Sequence, residues 1–170
     1  LTGFIPFLMA NGFGTLYPRL KEFLTALRKD ESTSTLPVGA AGFCWGGKLA
    51  IMAAGDEEKV VDGKRLIDAG FVGHPSRLEL PAEIEKMTVP MSFALGELDK
   101  GLDAKQTAQI KSIVEAKPDD QKGEVVTYEG VGHGFCIRAD VAILDVAKQA
   151  TAAEDQCIQW FNKHLGLTSS

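Results

Sequence analysis

Residues 42 to 46 read Gly42-Phe43-Cys44-Trp45-Gly46, and their surroundings limit the possible folds more than any other stretch of the 170-residue chain. A short apolar run, Pro37 to Phe43, leads into the motif, and a helical pattern leaves it near Gly47. Bounded by a proline and the glycine corner, the run is too short for a helix and reads as a buried strand. A residue held between strand and helix takes strained backbone angles, and its neighbours two positions away must be small for the two elements to pass. Gly42 and Gly46 meet that need. The following helix aims its free N–H groups and the positive end of its dipole at the corner, which favours a thiolate and an anionic intermediate. Cys44 is therefore a candidate nucleophile; the competing reading is a small buried hydrophobe.

The same alternation continues along the chain. Tyr17 to Arg28 carries Leu20, Phe23, Leu24 and Leu27 at the spacing of an amphipathic helix with one buried stripe. Strands are predicted over Leu36 to Phe43, Leu66 to Gly73, Val89 to Leu95 and Glu124 to Tyr128, with helices over Gly47 to Ala54, Thr107 to Ala116 and Ala142 to Leu165. Asp56 to Lys64 and Lys117 to Gly123 are polar enough to be surface loops. Strands that alternate with helices pair in parallel through crossovers, with helices on both sheet faces, so the fold class is α/β. In such sheets working groups gather beyond the carboxyl ends of the strands, where Cys44, His74, Asp99 and His133 all fall.

Composition narrows the function classes. The length suits one domain, residues 1–170. A net charge of −5 with both signs scattered lacks the basic footprint of a nucleic-acid binder. The apolar segment Phe4 to Ala10 contains Pro6, lacks a basic flank and is too short to span a bilayer, so it is expected to be buried or to cap the core. Cys44, Cys136 and Cys157 are odd in number and widely spaced, which points away from a disulfide framework and a metal site and toward a reducing, cytoplasmic setting. Cys136 and Cys157 are expected to pack. No Gly-rich phosphate loop is present, and neither a cofactor nor a metal is expected.

A thiol nucleophile needs a base that reaches its proton with one ring nitrogen, and a carboxylate that fixes the tautomer through the other. His133 lies between Gly132 and Gly134 in a loop after a predicted strand, a setting that carries an imidazole over the sheet edge. Asp99 closes the run Gly96-Glu97-Leu98-Asp99 and is favoured by position over Asp103, which reads as a surface or first-turn residue, and over Glu97. An aspartate so placed can equally cap the downstream helix, and spacing alone leaves both roles open.

Through Gly42-Phe43-Cys44-Trp45-Gly46-Gly47, Gly96-Glu97-Leu98-Asp99 and Gly132-His133-Gly134-Phe135, the chain resembles the dienelactone hydrolase family of α/β-hydrolases, especially its fungal-type members. The resemblance implies a carboxymethylenebutenolidase-like enzyme that opens a lactone or ester through an acyl-thiol intermediate. Cys44 would be nucleophile, His133 base and Asp99 its orienting acid. It also implies further N-terminal strands that are missing from this chain, which would then be the C-terminal two-thirds of the domain. The backbone N–H of Trp45 is then the assignable half of an oxyanion hole.

Substrate contacts are less determined. Arg138 follows His133 at a place comparable to a family arginine that holds a substrate carboxylate, shifted by one residue; it reads equally as a solvated charge. Arg77 is a second possible anion contact. His74 resembles a feature of fungal-type sequences and is expected to line the pocket or to cap its loop. Two other functions compete: a non-catalytic binding domain of hydrolase shape, and a glutamine-amidotransferase type. Lys48 after the glycines, and Gly134-Phe135 after the histidine, oppose the latter.

Overall fold

The computed structural model describes Pro6, residues 10–58, Val60 and residues 63–166. The segment Phe4 to Ala10 lies mostly outside the described residues. Four parallel strands, β1 (Gly39–Phe43), β2 (Ala69–Gly73), β3 (Met91–Gly96) and β4 (Glu124–Tyr128), form one sheet in the order β1-β2-β3-β4. Helices accompany them among the described residues: α1 (Phe13–Lys29), α2 (Trp45–Ala54), α3 (Ala82–Glu85), α4 (Ala104–Glu115), α5 (Phe135–Arg138) and α6 (Leu144–Leu165). This is the α/β class expected from the alternation. The four-residue helices α3 and α5 are additions, because one helical turn leaves no periodic signature.

Side chains alternate along each strand and divide the interior into two apolar layers. Val72, Phe93 and Leu95 join Leu24, Ile51, Ile110 and Val114 on the face covered by α1, α2 and α4. Phe71 and Ala94 join Tyr128, Phe135 and Ala153 on the face covered by α5 and α6. Trp160 is buried and Phe161 packs against the second layer, docking α6 as its pattern predicts. Phe23 departs from expectation. It lies on the flank of the α1 stripe and is 63% exposed, while Tyr17, Leu20, Leu24 and Leu27 face the core.

The predicted strand Leu66 to Gly73 shortens to Ala69–Gly73, although Leu66 and Ile67 are wholly buried. Asp68 intervenes. Its carboxylate accepts from the Val38 N–H at 2.7 Å and from the buried Arg28 guanidinium at 2.8 Å. Arg28 also donates to the carbonyls of Arg65, Leu66 and Leu36, so a charged side chain gathers the amino ends of β1 and β2.

Candidate active site

The loops that leave the four strands meet at their carboxyl ends. Cys44 stands between β1 and α2 with φ 52° and ψ −115°, a backbone state rare outside glycine. Its N–H donates to Gly73 O at 3.1 Å, tying the corner to β2. A Cβ on Gly42 would overlap the Gly46 carbonyl, so the strand passes the helix only without a side chain there. Gly46 differs from expectation, since a Cβ there has open space; the second crowded glycine is Gly47, where a Cβ would come 2.9 Å from Pro75 Cβ.

Asp99 and Asp103, alternatives in the sequence, have separate tasks. Asp103 caps α4, accepting from the Gln106 N–H while the Gln106 side chain accepts from the Asp103 N–H. Asp99 is buried; Oδ1 accepts from the Gly101 N–H at 2.8 Å, and Oδ2 lies 2.9 Å from His133 Nδ1. Glu97 accepts from the Gly130 N–H at 2.9 Å, joining the loops after β3 and β4. His133 Nε2 lies 3.0 Å from Cys44 Sγ. Gly134 at φ 92° supplies the turn behind the imidazole. The three side chains thus form one connected line, sulfur to imidazole to carboxylate, with the central ring 31% exposed and the Asp99 end 2%.

Burial opposes ionisation of Cys44, but hydrogen bonds from His133 and Ser76, the His133 charge and the Trp45 backbone N–H outweigh it, holding the thiol below its ordinary range. Burial likewise opposes protonation of His133, yet Cys44 and Asp99 raise it. Both directions ease transfer of the proton from sulfur to imidazole. The other thiols move the opposite way: burial pushes Cys136 up to about 12 and Cys157 up to about 11, as suits packing residues.

His74 reaches the same edge without reaching solvent. Its ring is wholly buried, in edge contact with the His133 ring at 4.9 Å between centroids and bordered by Phe43 and Phe135. Neither ring nitrogen has a hydrogen-bond partner among the described residues. Its main-chain N–H donates to Ala94 O at 2.8 Å, continuing the β2–β3 pairing into the loop. Arg138 is exposed, with its guanidinium over Gly134; Arg77 is exposed at φ 60°.

Ser76 and Lys48 were not singled out from sequence as parts of the site. Ser76 Oγ lies 3.8 Å from Cys44 Sγ. Lys48, only 4% exposed, donates to Arg77 O and pairs with Glu79 and Glu83. A lone cation inside the otherwise apolar stretch Gly47 to Ala54 was the available signal for Lys48. An open cleft of ≈ 510 Å³, lined by Leu98, Asp99, Lys100, Gly101 and His133, adjoins the imidazole. No cluster of His, Cys, Asp and Glu suited to a metal ion occurs among the described residues, and no described helix is long and apolar enough to cross a membrane.

Comparison with known proteins agrees with this architecture. Hydrolase tropI of Talaromyces stipitatus is 27% identical over 128 residues, 75% of this chain and 46% of the relative. Hydrolase pyvD of Aspergillus violaceofuscus is 26% identical over 157 residues, 89% of this chain and 58% of the relative. The chain therefore spans about half the length of these curated relatives. The crystal structure of dienelactone hydrolase from Anabaena variabilis superposes with a TM-score of 0.60 at 21% identity, covering 91% of this chain and 62% of that one. An esterase from Thermogutta terrifontis gives a TM-score of 0.61 at 16% identity, over 90% and 67%. These two likenesses establish the α/β-hydrolase fold. The model of one family, described as the dienelactone hydrolase family, matches residues 8–165, and the chain belongs to that family.

Proposed function

We propose that this chain is the nucleophile-bearing part of a hydrolase domain that opens a lactone or carboxylic ester through a cysteine acyl-enzyme. The observation that carries the reading is the unbroken line from Cys44 Sγ through His133 Nε2, 3.0 Å, and His133 Nδ1 to Asp99 Oδ2, 2.9 Å. With Nδ1–H directed at Asp99, Nε2 takes the thiol proton and the thiolate attacks the carbonyl carbon. The oxyanion takes the Trp45 N–H, which also eases ionisation of the Cys44 thiol. Collapse breaks the ester C–O bond, and the leaving alkoxide takes the proton from Nε2. His133 next draws a proton from water, hydroxide adds to the thioester carbonyl, and collapse expels the Cys44 thiolate and the free acid. The thiolate then recovers its proton from His133.

Arg138, exposed one turn beyond His133, is proposed as an anion contact for a substrate carboxylate. The buried His74 ring has no surface with which to touch a substrate, so its proposed role is to support the His133 ring. Labelling with a thiol-reactive lactone or active-ester probe tests the reading. Selective acylation of Cys44, abolished by His133→Ala, is the expected outcome. Equal, sluggish labelling of Cys44, Cys136 and Cys157 would instead indicate a binding domain of hydrolase shape.

A further inference from the structure

The turn after β2, His74-Pro75-Ser76-Arg77, is strained and tightly held. His74 has φ 37° and Arg77 φ 60°, and neither is glycine. Such conformations persist only where their surroundings enforce them, and they gather at functional sites. Four attachments enforce them here. The His74 N–H donates to Ala94 O at 2.8 Å, the Ser76 N–H donates to Cys44 O at 3.1 Å, Pro75 packs against Gly47, and Lys48 Nζ donates to Arg77 O at 2.9 Å. Lys48 is in turn fixed by Glu79 at 2.9 Å and Glu83 at 3.0 Å. What this framework delivers to the elbow is a hydroxyl, Ser76 Oγ, 3.8 Å from Cys44 Sγ.

We propose that Ser76 is a further catalytic residue, whose hydroxyl donates a hydrogen bond to the Cys44 thiolate. The inference rests on Cys44 being the nucleophile. With a neutral thiol either atom can donate; once Nε2 of His133 holds the proton, sulfur only accepts and the hydroxyl must donate. Charge-assisted bonds are shorter and stronger than neutral ones, so the 3.8 Å contact tightens as sulfur ionises. Groups from each neighbouring element face the sulfur: the His133 ring with Asp99 behind it, the Trp45 N–H at the start of α2, and Ser76 from the loop after β2. Ser76 is the neutral side-chain donor in this group. It therefore stabilises the thiolate both as attacking group and as leaving group when water releases the acid.

The test is the pH dependence of Cys44 alkylation by iodoacetamide, followed by mass spectrometry on the intact chain. Ser76→Ala is expected to move the alkylation midpoint to higher pH. The rate on the acid limb should fall about three- to tenfold, with the alkaline plateau unchanged. Ser76→Thr, which keeps a hydroxyl, should restore the wild-type midpoint. Should the alanine variant not fold by circular dichroism, Ser76→Gly removes the same hydroxyl and gives the same comparison. A profile for the hydroxyl-free variant that superimposes on wild type overturns the proposal, as does an equal shift in the threonine variant. Alkylation requires no ester turnover. Ester hydrolysis with an unmoved Ser76→Ala profile would remove Ser76 alone, whereas a moved profile without hydrolysis would remove the hydrolase reading, and with it the catalytic role of Ser76, and leave only its hydrogen bond to the thiolate.

Discussion

Gly42 lies so close beneath the Gly46 carbonyl that even a methyl group on Gly42 would occupy the same space, whereas a methyl on Gly46 meets nothing within 4 Å. Two glycines that look equivalent in the motif therefore differ in consequence. Gly42→Ala must displace backbone at the Cys44 corner, and overpacking of this kind destabilises by about 1–3 kcal/mol or more. It should lower the melting temperature and abolish the preferential alkylation of Cys44. Gly46→Ala, in the first turn of α2, should hold or raise the melting temperature, because alanine is the better helix former. Similar melting temperatures for the two variants would contradict the packing described.

Asp99 and Asp103 supply a second contrast. Loss of the orienting carboxylate in a serine-based triad lowers kcat by up to about 10⁴-fold. On the proposed mechanism, Asp99→Asn should lower ester turnover by about 10² to 10⁴-fold. Asp103→Ala should lose about 1 kcal/mol of stability with its helix cap and leave turnover unchanged. Equal turnover losses in both variants would mean that Asp99 acts through the fold and not through His133.

The sequence carried the local part of this architecture and not the long-range part. Strand–helix alternation, the Cys44 corner and the glycine-flanked His133 are written in neighbouring residues, so they could be read directly. Position favours Asp99 over Asp103, but it cannot set aside a helix-cap role for Asp99, because both follow a strand and precede a helix; the position of the His133 ring separates them. The start of β2 was misplaced for a related reason. Burial of Leu66 and Ile67 looks like a strand in an apolar pattern, but Asp68 turns its carboxylate to Arg28, 40 positions earlier. Ser76 and Lys48 were not read as parts of the site because their partners, too, are distant in the chain.

His74 should make stability depend on pH. Burial first, then the charges of His133 and Arg138, push its pKa from 6.5 down to about 4, with Asp99 opposing. A base depressed in the folded state binds fewer protons folded than unfolded, so stability rises with pH between about 4 and 6.5. The contribution is complete above that window and is lost as acid is added through it, at about 1.4 kcal/mol per pH unit at most. His133 works in the opposite sense: burial lowers it, but Cys44 and Asp99 raise it further. Its contribution is full below the ordinary imidazole value and fades as pH rises through its folded value. Urea denaturation of wild type across this range should show the His74 slope, and His74→Phe should flatten it. An unchanged slope would mean that the ring is not held neutral.

The Arg28–Asp68 pair should dominate the stability of the sheet's amino end. Arg28 is 1% exposed while Asp68 retains 39%, so solvent screens one partner only. Removing Asp68 strands a buried guanidinium, a change that destabilises by about 3–5 kcal/mol when both partners are buried and by somewhat less here. For a chain of this size, a loss of about 3 kcal/mol lowers the melting temperature by roughly 6–12 °C. Asp68→Asn keeps an oxygen to accept from Arg28 or the Val38 N–H but gives up the charge, so its loss should be intermediate. Arg28→Met leaves the carbonyls of Arg65, Leu66 and Leu36 without this donor, and its loss should match that of Asp68→Ala. Because the pair sits at the opposite strand ends from Cys44, alkylation of Cys44 in each folded variant should follow the wild-type pH profile. A displaced profile would show that the amino end of the sheet also sets the geometry of the elbow.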